Sequence, residues 1–217
     1  MAGRGGPGQR ETYKERLARR AAIDDPDIVM NAAARYLEVR SRSVEELRRH
    51  LGGAGYRPEL VEPAVARLIE LRVLDDEAFA RTWIESRDRS HPRSERVLRQ
   101  ELHLKGVDRD VIDRAMADRE DRTHERLVAT LGREPSDDEL AQRQSANEAA
   151  AKRLLLKRAA PLARVADARV RRQRAYALLA RNGFDPDVCR EAVVEFEAEL
   201  AAGDGGGADR REAADDA

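Results

Sequence analysis

A glycine joint between two helices, heard three times in the same frame, constrains this chain more than any other feature. Aligned on Gly55, Gly106 and Gly183, the segments LRRHLGGAGYRPELVEPAV (Leu47–Val65), LRQELHLKGVDRDVIDRAM (Leu98–Met116) and AYALLARNGFDPDVCREAV (Ala175–Val193) fall into register without a gap. A repeat of this size implies a row of small units, none of which buries its apolar face alone.

The residue types in each copy spell out a joint. An apolar pair four apart comes first (Leu47/Leu51, Leu98/Leu102, Ala175/Leu179), the spacing that places two side chains on one helix face. The glycine then stands where a helix ends in a left-handed residue, a conformation that glycine alone adopts without a Cβ clash. Tyr56, Val107 and Phe184 follow, each five positions ahead of a second apolar residue (Val61, Ile112, Cys189). That spacing is a hydrophobic staple, which sets the angle between consecutive helices. Asp185-Pro186 is the clearest helix start, with an aspartate cap and proline at the first helical position; Arg57-Pro58 is a weaker one.

The first helices recur as well. Ala32-Ala33/Tyr36-Leu37, Phe79-Ala80/Trp83-Ile84 and Ala150-Ala151/Leu154-Leu155 correspond, so each repeat has three helices. Trp83 is then expected to be a half-buried packing residue rather than a platform for a stacked base. Aromatic residues make up only 4% of the chain, and there is little alternation of period two, so the expected class is all-α.

In order along the chain, residues 1–26 read as a flexible basic arm, disordered or loosely helical. Residues 27–74 form repeat 1, 75–118 repeat 2, 119–135 an inserted connection, 136–200 repeat 3, and 201–217 a disordered acidic tail. Ser43-Val-Glu-Glu46 and Ser136-Asp-Asp-Glu139 match the capping box. The second of these is expected to open a long helix through Arg158 that Pro161 closes. Spacing between joint glycines grows from 51 to 77 residues across the insertion.

Several chemistries find no support. Neighbouring acids at Asp75-Asp76 invite a metal reading, but adjacent residues do not share a helix face, and a cap at Asp75 with a Leu74–Phe79 staple explains them more simply. The four histidines lie on different expected elements, and no phosphate-loop or nucleophile-elbow motif occurs. We therefore expect a non-enzyme without cofactor or metal. The one cysteine, Cys189, is read as apolar filler. No uncharged run reaches membrane-spanning length, and the expected compartment is the cytoplasm.

Charge is the feature that speaks to partners. The formal net charge of −1 conceals ten Lys/Arg against one acid between Lys152 and Arg181, followed by eleven Asp/Glu against three Arg from Asp185 onward. Lys152, Arg153, Lys157, Arg158, Arg171, Arg172 and Arg174 stand almost unopposed in sequence, and such a cluster repels itself unless an anionic partner is bound. Arg40, Arg87 and Arg158 recur at the exits of the first helices, and Arg99 and Lys105 flank the second joint. These eleven residues are the candidate binding set.

The motifs together resemble the RecX family of bacterial recombination regulators, over about residues 28–198. LDDEAFARTWIESRDRSHPRSERVLRQELHLKGVDRDVID (Leu74–Asp113) is similar to the family's LDDxxFAxxxVxxR…LxxxLxxKGV signature, and SVEELRRHLGGAGYRPELVEPAVARLIELRVLDD (Ser43–Asp76) resembles the block before it. The chain departs from the family pattern at GGAG (Gly52–Gly55) and in its longer 119–145 segment, and the third repeat matches in pattern only. The resemblance implies three tandem three-helix repeats in an elongated, curved molecule. It also implies a monomeric, non-catalytic partner of the RecA recombinase and its DNA filament that restrains filament growth, ATP hydrolysis and strand exchange. The residues themselves leave a second option open, a stand-alone nucleic-acid binder that meets DNA phosphates through helix-turn-helix-like pairs at the three joints.

Overall fold

The computed structural model of the chain describes residues 11–136, 139 and 145–212, with side chains described as far as residue 202. The described residues form helices and no strand. In chain order the helices are α1 (Tyr13–Ala21), α2 (Pro26–Val39), α3 (Val44–Gly53), α4 (Pro58–Glu70), α5 (Asp76–Ser90), α6 (Glu95–Leu104), α7 (Arg109–Leu131), α8 (Ala146–Leu156), α9 (Ala159–Ala163), α10 (Ala168–Arg181) and α11 (Pro186–Glu212). Two compact units result, one of residues 1–79 with 104–108 and the other of residues 80–103 with 109–217.

In the first unit, α2, α3 and α4 enclose a core of Val29, Ala33, Leu47, Leu51, Val61, Val65, Leu68 and Leu74, with Tyr56 packed against it. Asp25 caps α2 by accepting from Asp27 N at 2.9 Å, and the Ser43/Glu46 capping box opens α3 as its sequence requires. In the second unit α8, α9, α10 and α11 enclose Ala150, Ala151, Leu155, Leu179, Phe184, Cys189 and Phe196. The middle repeat buries Leu98, Leu102, Val107, Ile112 and Met116. Ala33, Ala80 and Ala151, matched in register, are all fully buried. Each fully buried Leu contributes about 2 kcal/mol relative to exposure.

The joints have the expected backbone. Gly55, Gly106 and Gly183 have φ of 99°, 78° and 87°. At two of them the bonds of a Schellman turn are in place: Tyr56 N donates to Leu51 O and Gly55 N to Gly52 O, while Phe184 N donates to Leu179 O and Gly183 N to Ala180 O. The same turn ends α4 without a glycine, at Arg72 with φ 55°. Its bonds run from Val73 N to Leu68 O and from Arg72 N to Ile69 O.

The structure adds a second demand on each joint glycine, which is that another helix lies against it. A Cβ on Gly55 would stand 2.9 Å from Leu17 Cδ2 of α1, on Gly106 2.3 Å from Glu45 Cγ of α3, and on Gly183 2.4 Å from Val97 Cγ2 of α6. Ser43 and Ser94, 51 residues apart in matching positions, are the buried hydroxyls of this arrangement. Ser43 Oγ donates to Lys105 O at 2.6 Å, and Ser94 N donates to Asn182 O at 3.2 Å. The start of one repeat's second helix therefore seats on the next repeat's joint.

Four expectations need correction. Residues 13–21, expected to be disordered or loosely helical, form the defined helix α1 with a complete Thr12/Glu15 capping box. That helix packs on the first joint through Leu17 and through Arg20, which donates to Ala54 O at 3.2 Å. The stretch 119–135 is not a separate connection, because α7 runs unbroken to Leu131. No helix runs from Ser136 through Arg158. Ser136 does accept from Glu139 N, but Ser145, in extended conformation, caps a new helix at Ala146 through its own capping box with Glu148. That helix ends at Leu156, and Pro161 lies inside the short α9. The tail from residue 201 continues α11 to Glu212; Leu200 packs against the core, and elongation of a formed helix adds one bond per residue. Residues 1–10 and 213–217, and with them the ends of the expected arm and tail, lie outside the described residues.

Candidate functional site

The acidic pair is structural. Asp75 Oδ1 accepts from Glu77 N and Ala78 N at 2.9 and 3.0 Å, capping α5, and Leu74 and Phe79 are both buried. Asp76 accepts from Val44 N at 2.9 Å, and burial raises its pKa above the ordinary carboxylate value. Cys189 is buried, its thiol 3.5 Å from Phe184 O, and burial pushes its pKa up. Trp83 is half-buried and donates from Nε1 to Glu101 at 2.8 Å, the packing role expected of it.

Most of the candidate cations have protein partners. Arg40 forks onto Glu46 with bonds of 2.9 and 3.2 Å, and Lys105 reaches the same carboxylate at 3.0 Å. Burial works to raise the Glu46 pKa, but hydrogen bonds from Arg40, Lys105 and the Ser43 backbone outweigh it and hold the value at about 2. Arg87 lies over the Trp83 ring, 4.4 Å from its centroid, and bonds Glu101 at 2.7 Å. Arg99 spans Glu95 at 2.7 Å and Asp113.

The third-repeat cluster is far less bare than its sequence suggests, because α11 folds its acids back onto it. Lys152 pairs with Glu199 at 2.8 Å and with Glu195 at 3.7 Å. Arg171 makes a two-bond fork to Glu197, both bonds 2.7 Å, and holds that carboxyl below its usual range. Arg153 reaches Asp88 at 3.5 Å. Charge segregated along the chain is thus paired across it.

Lys157, Arg158, Arg172 and Arg174 are exposed and make no ion pair among the described residues. Lys157 and Arg158 line a hollow of about 440 Å³ with His91, Arg93 and Asn182. Arg93 hydrogen-bonds Asn182 Oδ1, yet its Nε is buried without a partner among the described residues. Of the recurring exit arginines, Arg40 and Arg87 are engaged by carboxylates and Arg158 is not. Arg93 was outside the expected set. Its signal in sequence was weak, since it lies next to a proline between α5 and α6, and only folding brings it beside α8.

Comparison with known proteins follows these elements. A model of RecX's first three-helix domain matches residues 30–68, one of its second three-helix domain residues 75–116, and one of its third three-helix domain residues 146–193. The Regulatory protein RecX of Mycobacterium ulcerans (strain Agy99) is 35% identical over 173 residues, covering 77% of this chain and 82% of the relative. The proteins of that name from Mycolicibacterium smegmatis and Prosthecochloris aestuarii are each 40% identical, over 88 and 87 residues, or 41% and 40% of this chain. Those two matches span only 47% and 58% of the relatives' own lengths. Among solved structures, RecX from Lactobacillus salivarius superposes with a TM-score of 0.58 at 18% identity, covering 81% of this chain and 98% of that one. A second, a regulatory protein RecX, gives 0.57 at 22% identity, covering 85% and 80%. At these identities the superpositions speak to the fold. With all three repeats matched in order and a relative aligned over most of both sequences, the chain belongs to the RecX family.

Proposed function

We propose that this protein is a non-catalytic regulator that binds the RecA recombinase and its DNA filament and restrains filament growth, ATP hydrolysis and strand exchange. The observation that carries this reading is family membership across all three repeats, whose relatives bear the name regulatory protein RecX. The joint geometry supports it physically. In the first unit α3 seats on Gly106 and in the second α6 seats on Gly183, the neighbour-to-neighbour contact by which repeat proteins build a surface for a partner.

Of the candidate residues, Lys157, Arg158, Arg172 and Arg174 are assigned to partner contact, because they are exposed and make no ion pair. Arg40, Arg87, Arg99, Lys105, Lys152 and Arg171 are assigned to holding the fold through the bonds described above. Titrating the protein into RecA on single-stranded DNA at low salt is expected to suppress DNA-dependent ATP hydrolysis at substoichiometric amounts, and unchanged hydrolysis across the titration overturns the reading. Reversing Lys157 and Arg158 to Glu is expected to weaken suppression about tenfold without changing the melting temperature. The same exposed cations favour a second reading, nucleic-acid binding without RecA. Steeply salt-dependent DNA binding in the RecA-free arm, lost with Arg172→Glu and Arg174→Glu, supports that reading.

A further inference from the structure

A second hollow, of about 450 Å³, opens where α5, α7 and α8 meet in the second unit. Its floor is an arginine pair on one acid. Arg119, 3% exposed, grips Asp88 with bonds of 2.7 and 3.0 Å, and Arg153 approaches the same carboxylate at 3.5 Å. Arg153 Nε is buried with no hydrogen-bond partner among the described residues, and burial and the neighbouring Arg119 and Arg126 act to lower its pKa, against Asp88. Arg89, Arg122 and Arg126 complete the wall, and none of the three makes an ion pair among the described residues. Among the described lining residues, five guanidiniums thus stand against two carboxylates, Asp88 and Glu85.

Among the described residues that line the hollow, no further carboxylate offsets that excess. Guanidiniums crowded into one concavity raise one another's free energy unless an anion enters. Three surplus charges in about 450 Å³ call for an anion of matching charge density. Phosphoryl groups in series provide it, and their oxygens accept the paired N–H groups of an arginine fork. Carboxylates spaced along a peptide bring fewer charges into the same volume.

We propose that this hollow is an oligophosphate-binding site, with Arg122 and Arg126 of α7 and Arg89 of α5 as its principal contacts, and Arg153 and Arg119 as the cationic floor. The phosphoryl chain comes either from a free polyphosphate or nucleotide or from the backbone of a single strand. Asp88 is the positioning residue that holds the floor guanidiniums against their mutual repulsion.

Calorimetric titration of the full chain at about 50 mM salt, with no recombinase present, tests the site and stands apart from the RecA reading. Inorganic triphosphate is expected to saturate one site per chain. ATP that competes with it, while a short thymidine oligomer does not, identifies a free oligophosphate; an oligomer that binds more tightly and competes identifies a strand backbone. Arg122→Glu with Arg126→Glu is expected to weaken binding at least about tenfold, whereas Arg35→Glu with Arg164→Glu, at exposed positions away from the hollow, leaves it unchanged. Arg89→Glu, on another helix, repeats the test if the α7 variant folds poorly. The proposal is overturned if neither triphosphate nor the oligomer saturates, if binding survives the substitutions at both helices, or if a hexaglutamate peptide binds more tightly than either.

Discussion

Glu46 in the first unit and Asp88 in the second are the same device carried to different ends. Each is a partly buried carboxylate shared by two cations. Around Glu46 the account closes: four donors, from Arg40, Lys105 and the Ser43 backbone, serve its two oxygens. Around Asp88 it does not, since among the described residues Arg153 Nε has no acceptor and three further arginines face the hollow. A carboxylate saturated by its cations holds a fold together, and cations left in excess of their carboxylates are available to a ligand.

The comparison breaks most visibly at Arg119. Replacing it with Ala removes a nearly buried fork and leaves Asp88 with a single distant partner, and a loss of about 3 kcal/mol is expected, read as the shift in midpoint of a urea melt. A change no larger than that of an exposed arginine contradicts the description of the floor.

Next in size is Glu46→Gln, with an expected loss of about 2 kcal/mol at pH 7, reduced below a fully buried value because the network is partly solvated. Its pH dependence carries a defined sign. The folded-state pKa, about 2, lies below the ordinary glutamate value of 4.5, so the carboxylate's contribution is complete above about 4.5 and is lost as pH falls toward 2. Melting the parent and variant across that window is expected to show their difference shrinking with acid. A constant difference shows that the carboxylate is not what Arg40 and Lys105 hold.

Smallest is Arg122→Ala with Arg126→Ala, which removes two unpaired arginines from the hollow. Stability at low salt is expected to stay within about 0.5 kcal/mol of the parent, on the positive side because repulsion is relieved. A loss above about 1 kcal/mol assigns these arginines to the fold, which sharpens the contrast with Glu46 into identity.

The repeat, the three joints and the Ser43/Glu46 and Ser136/Glu139 capping boxes were legible residue by residue, since helix periodicity, positive-φ glycine and staple spacing are all local properties; the Thr12/Glu15 and Ser145/Glu148 boxes lay in stretches assigned to a loose arm and to a helix interior. Arg72 was not legible, because nothing in the identity of an arginine marks a left-handed turn. The binding set was legible only as a pool. Lys152 and Arg171 looked unopposed along the chain, yet Glu199 and Glu197 reach them from α11. Arg119, Arg122 and Arg126 carried a usable signal, a three-and-four spacing that puts them on one helix face. Setting residues 119–135 apart as a connection concealed it.

What the sequence by itself determined is therefore the unit: three helices, a glycine joint and a staple, written three times, because each follows from backbone preferences acting over a few residues. Tertiary structure alone decided what those units do to one another. That Gly106 and Gly183 must be glycine for lack of space as well as for φ, with Glu45 and Val97 lying against them, depends on residues some sixty to ninety positions away. The same is true of which arginines are spent on carboxylates and which remain, because charge pairing is settled by distance in space, and distance along the chain carries no record of it.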